Sequence, residues 1–94
     1  MEFIETPTFR HAAAVLSTAR AAVLPEGGLH HAAAAVGLRA VVIFGGFTPT
    51  EVTGYDSHFN LGATGHAACG SRVECEHCRK WMASIEPVKV VRAL

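Results

Sequence analysis

The feature that most constrains the fold is an uninterrupted apolar run at residues 40–44, Ala-Val-Val-Ile-Phe. A strand that is apolar at every position, rather than at alternate positions, is typical of a parallel sheet covered on both faces. A second short apolar run, at residues 21–24, has the length of another buried strand, and an alanine-rich segment lies between the two runs. The order of strand, helix and strand predicts a β-α-β unit, and therefore an α/β fold with a parallel sheet.

Turn and cap residues separate these elements. Pro25 ends the first strand, and Gly27 and Gly28 form a turn before the helix, which we expect over residues 29–36. Gly37 then provides the left-handed position at which helices commonly end. The segment therefore has a local signal at each of its boundaries.

The flanking segments carry fewer signals. Thr6 and Pro7 form a helix-start signal, because a side-chain oxygen at the cap is followed by a proline in the first turn. This signal predicts a helix over about residues 7–19. Residues 47–60 contain proline, glycine and several polar side chains, and are predicted to form a loop. Pro87 is placed in the first turn of a closing helix.

Length and composition exclude several classes of protein. The 94 residues allow one small domain, and a chain that is 50% hydrophobic and 17% charged can form a packed core. A formal net charge of +0 removes the positive charge on which general nucleic-acid binding depends. No apolar run approaches the ~20 residues needed to cross a bilayer. The 3 cysteines are too few for a disulfide framework, so we expect a soluble, cytoplasmic protein.

The glycine turn is the first candidate for a binding site. A Gly27-Gly28 pair between a strand and a helix is expected to bare backbone N–H groups where the helix dipole is positive, which predicts an anion site. Glu26 can accept hydrogen bonds from sugar hydroxyls, and His31 can direct its imidazole at the same anion. Adjacent helical residues point about 100° apart, so we expect His30 to be a solvated or packing residue. The alternative is a tight connection in which the glycines only satisfy backbone geometry.

The cysteines and neighbouring histidines are a second candidate. Three thiolates and one imidazole could bind zinc, and the residues available are Cys69, Cys75 and Cys78 with His77 or His66. Only the Cys75 and Cys78 pair has the spacing typical of zinc sites, so we interpret the cysteines as ordinary thiols and predict no metal site. A small zinc-stabilised interaction domain is the alternative.

The loop at residues 45–55 is a third candidate, because ligands of parallel sheets bind at the carboxyl ends of the strands. Four of its side chains offer hydroxyl groups, namely Thr48, Thr50, Thr53 and Tyr55. Phe47 and Tyr55 could stack on a base or a sugar, whereas the alternative is a solvated turn packed on the edge of the sheet. His58, further along, is interpreted as an ordinary loop residue.

At residues 25–49 the chain reads Pro-Glu-Gly-Gly-Leu-His-His-Ala-Ala-Ala-Ala-Val-Gly-Leu-Arg-Ala-Val-Val-Ile-Phe-Gly-Gly-Phe-Thr-Pro. This segment resembles the donor-binding region of glycosyltransferase family 9, the heptosyltransferases. The resemblance extends upstream to Thr8-Phe9 and downstream through Thr53-Gly-Tyr to the tail at residues 75–85. Family members are inverting, metal-independent enzymes of the GT-B fold that need no cofactor. They move a sugar, typically heptose, from a nucleotide diphosphate donor to lipopolysaccharide core or a related glycan.

The resemblance implies roles for individual residues. Glu26, Gly27, Gly28 and His31 match the positions that hold the sugar and diphosphate of an ADP-heptose-like donor. The family usually has aspartate at the position of Glu26, so the contact with the sugar would lie one methylene further out. Thr8 matches the position at which the family approaches the nucleotide base. No catalytic residue is assigned to this chain, because the family's general base belongs to an amino-terminal lobe.

The resemblance also implies a Rossmann-like, three-layer parallel sheet, the carboxyl-terminal part of a GT-B glycosyltransferase. Residues 1–94 would form an incomplete nucleotide-sugar-binding domain with a cysteine-containing tail at residues 66–94. We expect such a chain to be inactive alone, to meet its acceptor through the missing lobe and to self-associate through an exposed sheet edge. The expected location is the cytoplasm, including the inner face of the inner membrane. The alternative function is a non-catalytic module that binds a nucleotide or phosphate.

Overall fold

The computed structural model describes residues 3–45, 50–62 and 76–94, apart from the side chains of His77 and Cys78. Three parallel strands form one sheet in the order β1-β2-β3: β1 (Ala22–Pro25), β2 (Ala40–Ile43) and β3 (Phe59–Leu61). The helices are α1 (Phe9–Thr18), α2 (Gly28–Ala35), α3 (Thr50–Thr53), α4 (Glu76–Ser84) and α5 (Pro87–Ala93). Parallel strands that alternate with helices confirm the predicted α/β class and its Rossmann-like arrangement.

Strand β2 is the centre of the fold. Val41 and Val42 are consecutive and have no exposed surface, so both faces of the strand are covered, as its apolar run predicts. Burying a side chain of this size contributes about 1.5–3 kcal/mol. Phe44, which follows the strand, is buried as well. Val42 and Phe44 belong to one hydrophobic cluster, whose other buried members are Leu24, Ala33, Leu38 and Ala40.

Strand β1 differs from the prediction of a fully buried strand that stops before Pro25. Leu24 is buried, but Val23 is 44% exposed, and Pro25 is the last residue of the strand. The N–H of Ala22 donates to the carbonyl of Arg39, just before β2, and the N–H of Glu26 donates to that of Ile43, the last residue of β2. The backbone groups of the alternate residues, Val23 and Pro25, therefore point away from β2. A proline has no N–H, and at this outward position the ladder loses no hydrogen bond.

The helices begin and end close to the predicted residues. The cap of α1 is Thr8, whose hydroxyl accepts a hydrogen bond from the His11 N–H at 3.2 Å, so the prediction of Thr6 was two residues early. Gly37 has a φ of 72° after α2, which confirms the left-handed helix end. Pro87 lies in the first turn of α5, also as predicted. Among the described residues, no helix has the length and apolar character to span a membrane.

The segment predicted as a loop at residues 47–60 contains two short elements, α3 and β3. Both are four residues or fewer, and β3 exists because it pairs with β2, a contact that local sequence does not encode. His58 precedes β3 and is not an exposed loop residue: it is buried, and its Nε2 donates to the Leu38 carbonyl at 3.1 Å.

Candidate functional site

The glycine turn lies at the carboxyl end of β1. The N–H of Glu26 donates the last hydrogen bond of the ladder, to the Ile43 carbonyl at 2.9 Å, and the chain then leaves the sheet. Gly27 has a φ of 153° and a ψ of −164°, a backbone conformation that is open almost only to glycine. Helix α2 begins at Gly28. The turn therefore presents a helix N-terminus at the end of a parallel strand, where ligands of such sheets bind.

The first-turn amides of α2 provide the positive end of this helix. The first hydrogen bond of the helix runs from the His31 N–H to the Gly27 carbonyl at 3.5 Å. Within the described part of the chain, the N–H groups of Gly28, Leu29 and His30 have no acceptor. His30 has no exposed surface, so the donors that can bind an anion at this helix N-terminus are the exposed N–H groups of Gly28 and Leu29.

Gly27 itself does not present a bare amide. Its N–H donates to Nδ1 of His30 at 2.9 Å, which differs from the expectation that both glycine amides are free. The reason is that His30 stands three residues after Gly27, the position from which a polar side chain reaches back to the N–H of the cap residue. Gly27 thus supplies the backbone conformation, and Gly28 supplies the first unpaired donor.

His30 has no exposed surface and uses both ring nitrogens. Nδ1 accepts from Gly27, and Nε2 donates to the carbonyl of Thr53 at 2.9 Å. The ring also lies 5.9 Å from the ring of Phe44, centroid to centroid, so it packs against the end of β2. Of the two predicted alternatives, a solvated or a packing residue, the structure shows the packing one, and the prediction misses the two hydrogen bonds.

Glu26 is half-buried beside this turn. One carboxylate oxygen, Oε1, accepts a long hydrogen bond of 3.4 Å from the hydroxyl of Thr53. The other oxygen has no partner in the described ranges and is available to a ligand. Two adjacent sugar hydroxyls or a single hydroxyl could donate to it.

His31 is exposed, and its Nδ1 lies 2.7 Å from the hydroxyl of Tyr55. The two rings meet edge to face, with centroids 5.6 Å apart and an interplanar angle of 82°. When the Tyr55 hydroxyl donates to Nδ1, the ring proton is on Nε2, which can then donate to a phosphate oxygen. The hydroxyl-bearing loop thus contributes Thr53 and Tyr55 to the surroundings of the turn.

Thr8 belongs to a neighbouring part of the surface. It caps α1, and the next residue, Phe9, places its ring edge 3.4 Å from where a Cβ on Gly28 would lie. The beginning of α1 therefore adjoins the beginning of α2. The hydroxyl of Thr8 also lies 2.6 Å from Nδ1 of His11. A role for Thr8 beside a nucleotide base stays a prediction.

Glu26, His30 and His31 form a group whose possible metal-ligand atoms lie within 4.8 Å of one another. In the observed arrangement His30 has no lone pair to give, because Nδ1 accepts from Gly27 and Nε2 carries a proton. Two ligands are fewer than the three or four that zinc sites use. The donor set therefore does not fit a metal centre.

Several predicted candidates lie outside the described residues. These are the zinc alternative formed by Cys69, Cys75, the side chains of Cys78 and His77, and His66, together with Thr48 and Phe47 of the loop. Trp81 of α4 is described and was not singled out by its sequence context. Its indole N–H donates to the carbonyl of Phe44 at 2.8 Å, which joins α4 to the carboxyl end of β2.

Comparison with known proteins yields one match. Residues 6–88 match the sequence profile of glycosyltransferase family 9 (heptosyltransferase), which covers the glycine turn, the sheet and α4. No curated protein and no solved structure matches the chain significantly.

Proposed function

Since the chain belongs to glycosyltransferase family 9, we propose that it is the donor-binding portion of a glycosyltransferase. The donor is a nucleotide diphosphate sugar of the ADP-heptose type, and the acceptor is lipopolysaccharide core or a related glycan. The observation that supports this most directly is the helix N-terminus at the end of β1, where two exposed, unpaired amides adjoin Glu26 and His31.

The diphosphate is the part of the donor that this geometry suits best. The N–H groups of Gly28 and Leu29, at the positive end of α2, can donate hydrogen bonds to its negative oxygens, and Nε2 of His31 can donate to another of them. In transfer, an acceptor hydroxyl oxygen bonds to the anomeric carbon while the bond from that carbon to the diphosphate oxygen breaks. The electron pair stays on the diphosphate, and donors held in place stabilise this charge as it develops.

The carboxylate of Glu26 faces the other part of the donor. With Oε1 near the Thr53 hydroxyl, its second oxygen is left to accept a hydrogen bond from a hydroxyl of the sugar. Thr8, at the beginning of α1, would lie toward the nucleotide base. This division places a sugar hydroxyl beside the acidic residue and the phosphates at the helix N-terminus.

The remaining features of the reaction belong to the whole enzyme. We propose an inverting, metal-independent transfer, in which the proton of the acceptor hydroxyl goes to a general base on a separate acceptor-binding lobe. The chain alone is then a donor binder without transferase activity. We place the reaction in the cytoplasm, at the inner face of the inner membrane.

Titration with ADP and UDP tests this proposal. The chain has 1 tryptophan, Trp81, and its contact with β2 makes its fluorescence a suitable signal for binding near this end of the sheet. We expect saturable binding that weakens about 10- to 100-fold in His31→Ala, the range expected when a hydrogen bond to a charged group is lost.

The matched control is Arg39→Ala, which removes an exposed cation from the residue that precedes β2, at the opposite end of the sheet. Its affinity for ADP and UDP should equal that of the unmodified chain, because binding at the glycine turn depends on the hydrogen-bond donors there rather than on the overall charge of the chain. Absence of binding at millimolar nucleotide, or equal loss of affinity in both variants, would contradict the proposal.

A further inference from the structure

We infer that His30 is the positioning residue of this site, an inference that rests on the proposed donor-binding function. It has no exposed surface, so it cannot touch a ligand. It acts instead by joining the glycine turn to the loop that carries Thr53 and Tyr55, and so fixes the groups that face the donor.

The two hydrogen bonds of His30 determine its chemical form. A backbone N–H points at Nδ1, so Nδ1 carries no proton, and a backbone carbonyl lies against Nε2, so Nε2 carries one. The ring is therefore neutral and in a single tautomer. Both partners of the ring are backbone groups, one at Gly27 and the other at Thr53, which lies 23 residues after His30. The ring therefore fixes the path of two chain segments rather than the rotamer of one side chain.

The segment held by His30 carries the groups that contact Glu26 and His31. Thr53 accepts from the ring through its carbonyl and reaches Glu26 with its hydroxyl. Two residues later, the hydroxyl of Tyr55 lies 2.7 Å from Nδ1 of His31. Loosening this segment would release both Glu26 and His31 from their partners.

Ring contacts support the same role. The centroid of the His30 ring lies 4.1 Å from that of His31 and 5.8 Å from that of Tyr55. The exposed imidazole of His31 thus packs against the buried ring of His30. The position of His31 relative to the α2 amides depends on a side chain that the ligand never reaches.

The chemistry of position 30 indicates which substitution can replace histidine. Glutamine at the third helical position accepts from the cap N–H with its carbonyl oxygen, as in a capping box, and its NH₂ group can donate to Thr53. Leucine can do neither. A glutamate side chain can accept a hydrogen bond from the Gly27 N–H, but as a carboxylate it has no proton to donate to the Thr53 carbonyl. The glutamate variant therefore keeps the bond to Gly27 and loses the bond to Thr53.

The experiment uses the full-length, ¹⁵N-labelled chain and the variants His30→Gln, His30→Leu and His30→Glu. Long-range ¹H–¹⁵N spectra of the unliganded protein should show His30 protonated at Nε2 and unprotonated at Nδ1. We expect His30→Gln to keep the backbone amide signals of Thr53 and Tyr55 and to bind ADP about as tightly as the unmodified chain. A folded His30→Leu should shift those signals and bind ADP about tenfold or more weakly.

A proton on Nδ1, or a folded His30→Leu that binds ADP as tightly as the unmodified chain, would overturn the inference. If His30→Leu does not fold, His30→Glu decides: its Thr53 and Tyr55 signals must differ from those of His30→Gln, and identical signals overturn the inference. Failure of the donor-binding proposal would look different from failure of this inference. The unmodified chain would then not bind ADP, while the tautomer of His30 and the signal shifts of its variants would still be as expected. In that case the ring still holds the loop, and the ligand assigned to the site is wrong.

Discussion

Adjacent glycines at the turn have different physical roles. Gly27 has a φ of 153°, which residues with a side chain rarely adopt, and a Cβ there would meet no atom within 4 Å. Glycine is therefore required at position 27 for its backbone conformation and not for space. Gly28 has ordinary helical geometry, and its nearest neighbour would be the ring edge of Phe9 at 3.4 Å. Neither backbone conformation nor packing requires glycine at position 28, and the proposed binding of phosphate to its amide supplies the reason for it.

This difference predicts opposite effects of the two alanine substitutions. Gly27→Ala should lower the free energy of unfolding by about 1–3 kcal/mol, because the residue is held in a strained conformation. Gly28→Ala should fold as well as the unmodified chain, or up to about 1 kcal/mol better, since alanine favours helix. Its affinity for ADP should nevertheless fall several-fold, because the methyl group crowds the first amide.

Urea unfolding followed by circular dichroism measures the stabilities, and fluorescence titration measures the affinities. Each variant is the control for the other, since both add one methyl group to the same turn. A Gly28→Ala variant that binds ADP normally would show that the phosphates do not approach this amide.

At the residue scale, sequence predicts the residues whose local context is diagnostic. Glu26, the glycine pair and His31 were named from a strand-turn-helix pattern, and the structure places them together at the end of β1. The role of His30 was missed, although a polar residue three positions after a helix cap is a recognisable signal. Its bond to Thr53 was not predictable, because it joins residues 23 apart in the chain.

Among the elements, α4 reaches the sheet through one described hydrogen bond, from the Trp81 indole to the carbonyl of Phe44. This carbonyl follows β2, which is the most buried strand. Because Phe44 also packs on His30, α4 is connected to the positioning residue through the end of this strand. The attachment of α4 should thus influence the rigidity of the site.

Trp81→Phe tests this attachment. Loss of the indole N–H should lower the free energy of unfolding by about 0.5–1.5 kcal/mol, the net contribution of one hydrogen bond. Met82→Ala is the matched control, because Met82 is the next residue of α4 and 48% exposed, and it should change stability by less than about 0.5 kcal/mol. Urea unfolding monitored by circular dichroism measures both. Equal stability of Trp81→Phe and the unmodified chain would mean that α4 is held by other contacts.

Elements with strong local patterns were predicted, and elements created by tertiary pairing were not. The apolar run of β2 and the alanine-rich α2 with its terminal glycine were found within one residue of their bounds. Strand β3 and helix α3 have too few residues for a period to be recognised, and β3 depends on its register with β2. The loop that bears Thr53 and Tyr55 was expected near the site, but its contacts with the two histidines were not.

For the whole molecule, the predicted self-association would use the outer edge of β1. Among the described residues β1 pairs only with β2, so the backbone groups of Val23 face outward. An unpaired strand edge is a template for another strand. Pro25 limits that template, since it faces the same way and offers no N–H. The proposed self-association through this edge should therefore pair only a few residues and be weak.

Sedimentation velocity over a range of protein concentrations tests this proposal. Val23→Lys should make the chain more monomeric, because a charged side chain disfavours pairing at an edge. Pro25→Val should strengthen association, because it restores a donor to the edge. Val91→Lys is the matched control: Val91 is 66% exposed on α5, outside the sheet, and the same charge change there should leave association unaltered.

If Val91→Lys dissociates the protein and Val23→Lys does not, the exposed apolar side of α5 is the contact. A monomer for both the unmodified chain and Pro25→Val at high concentration would contradict self-association altogether.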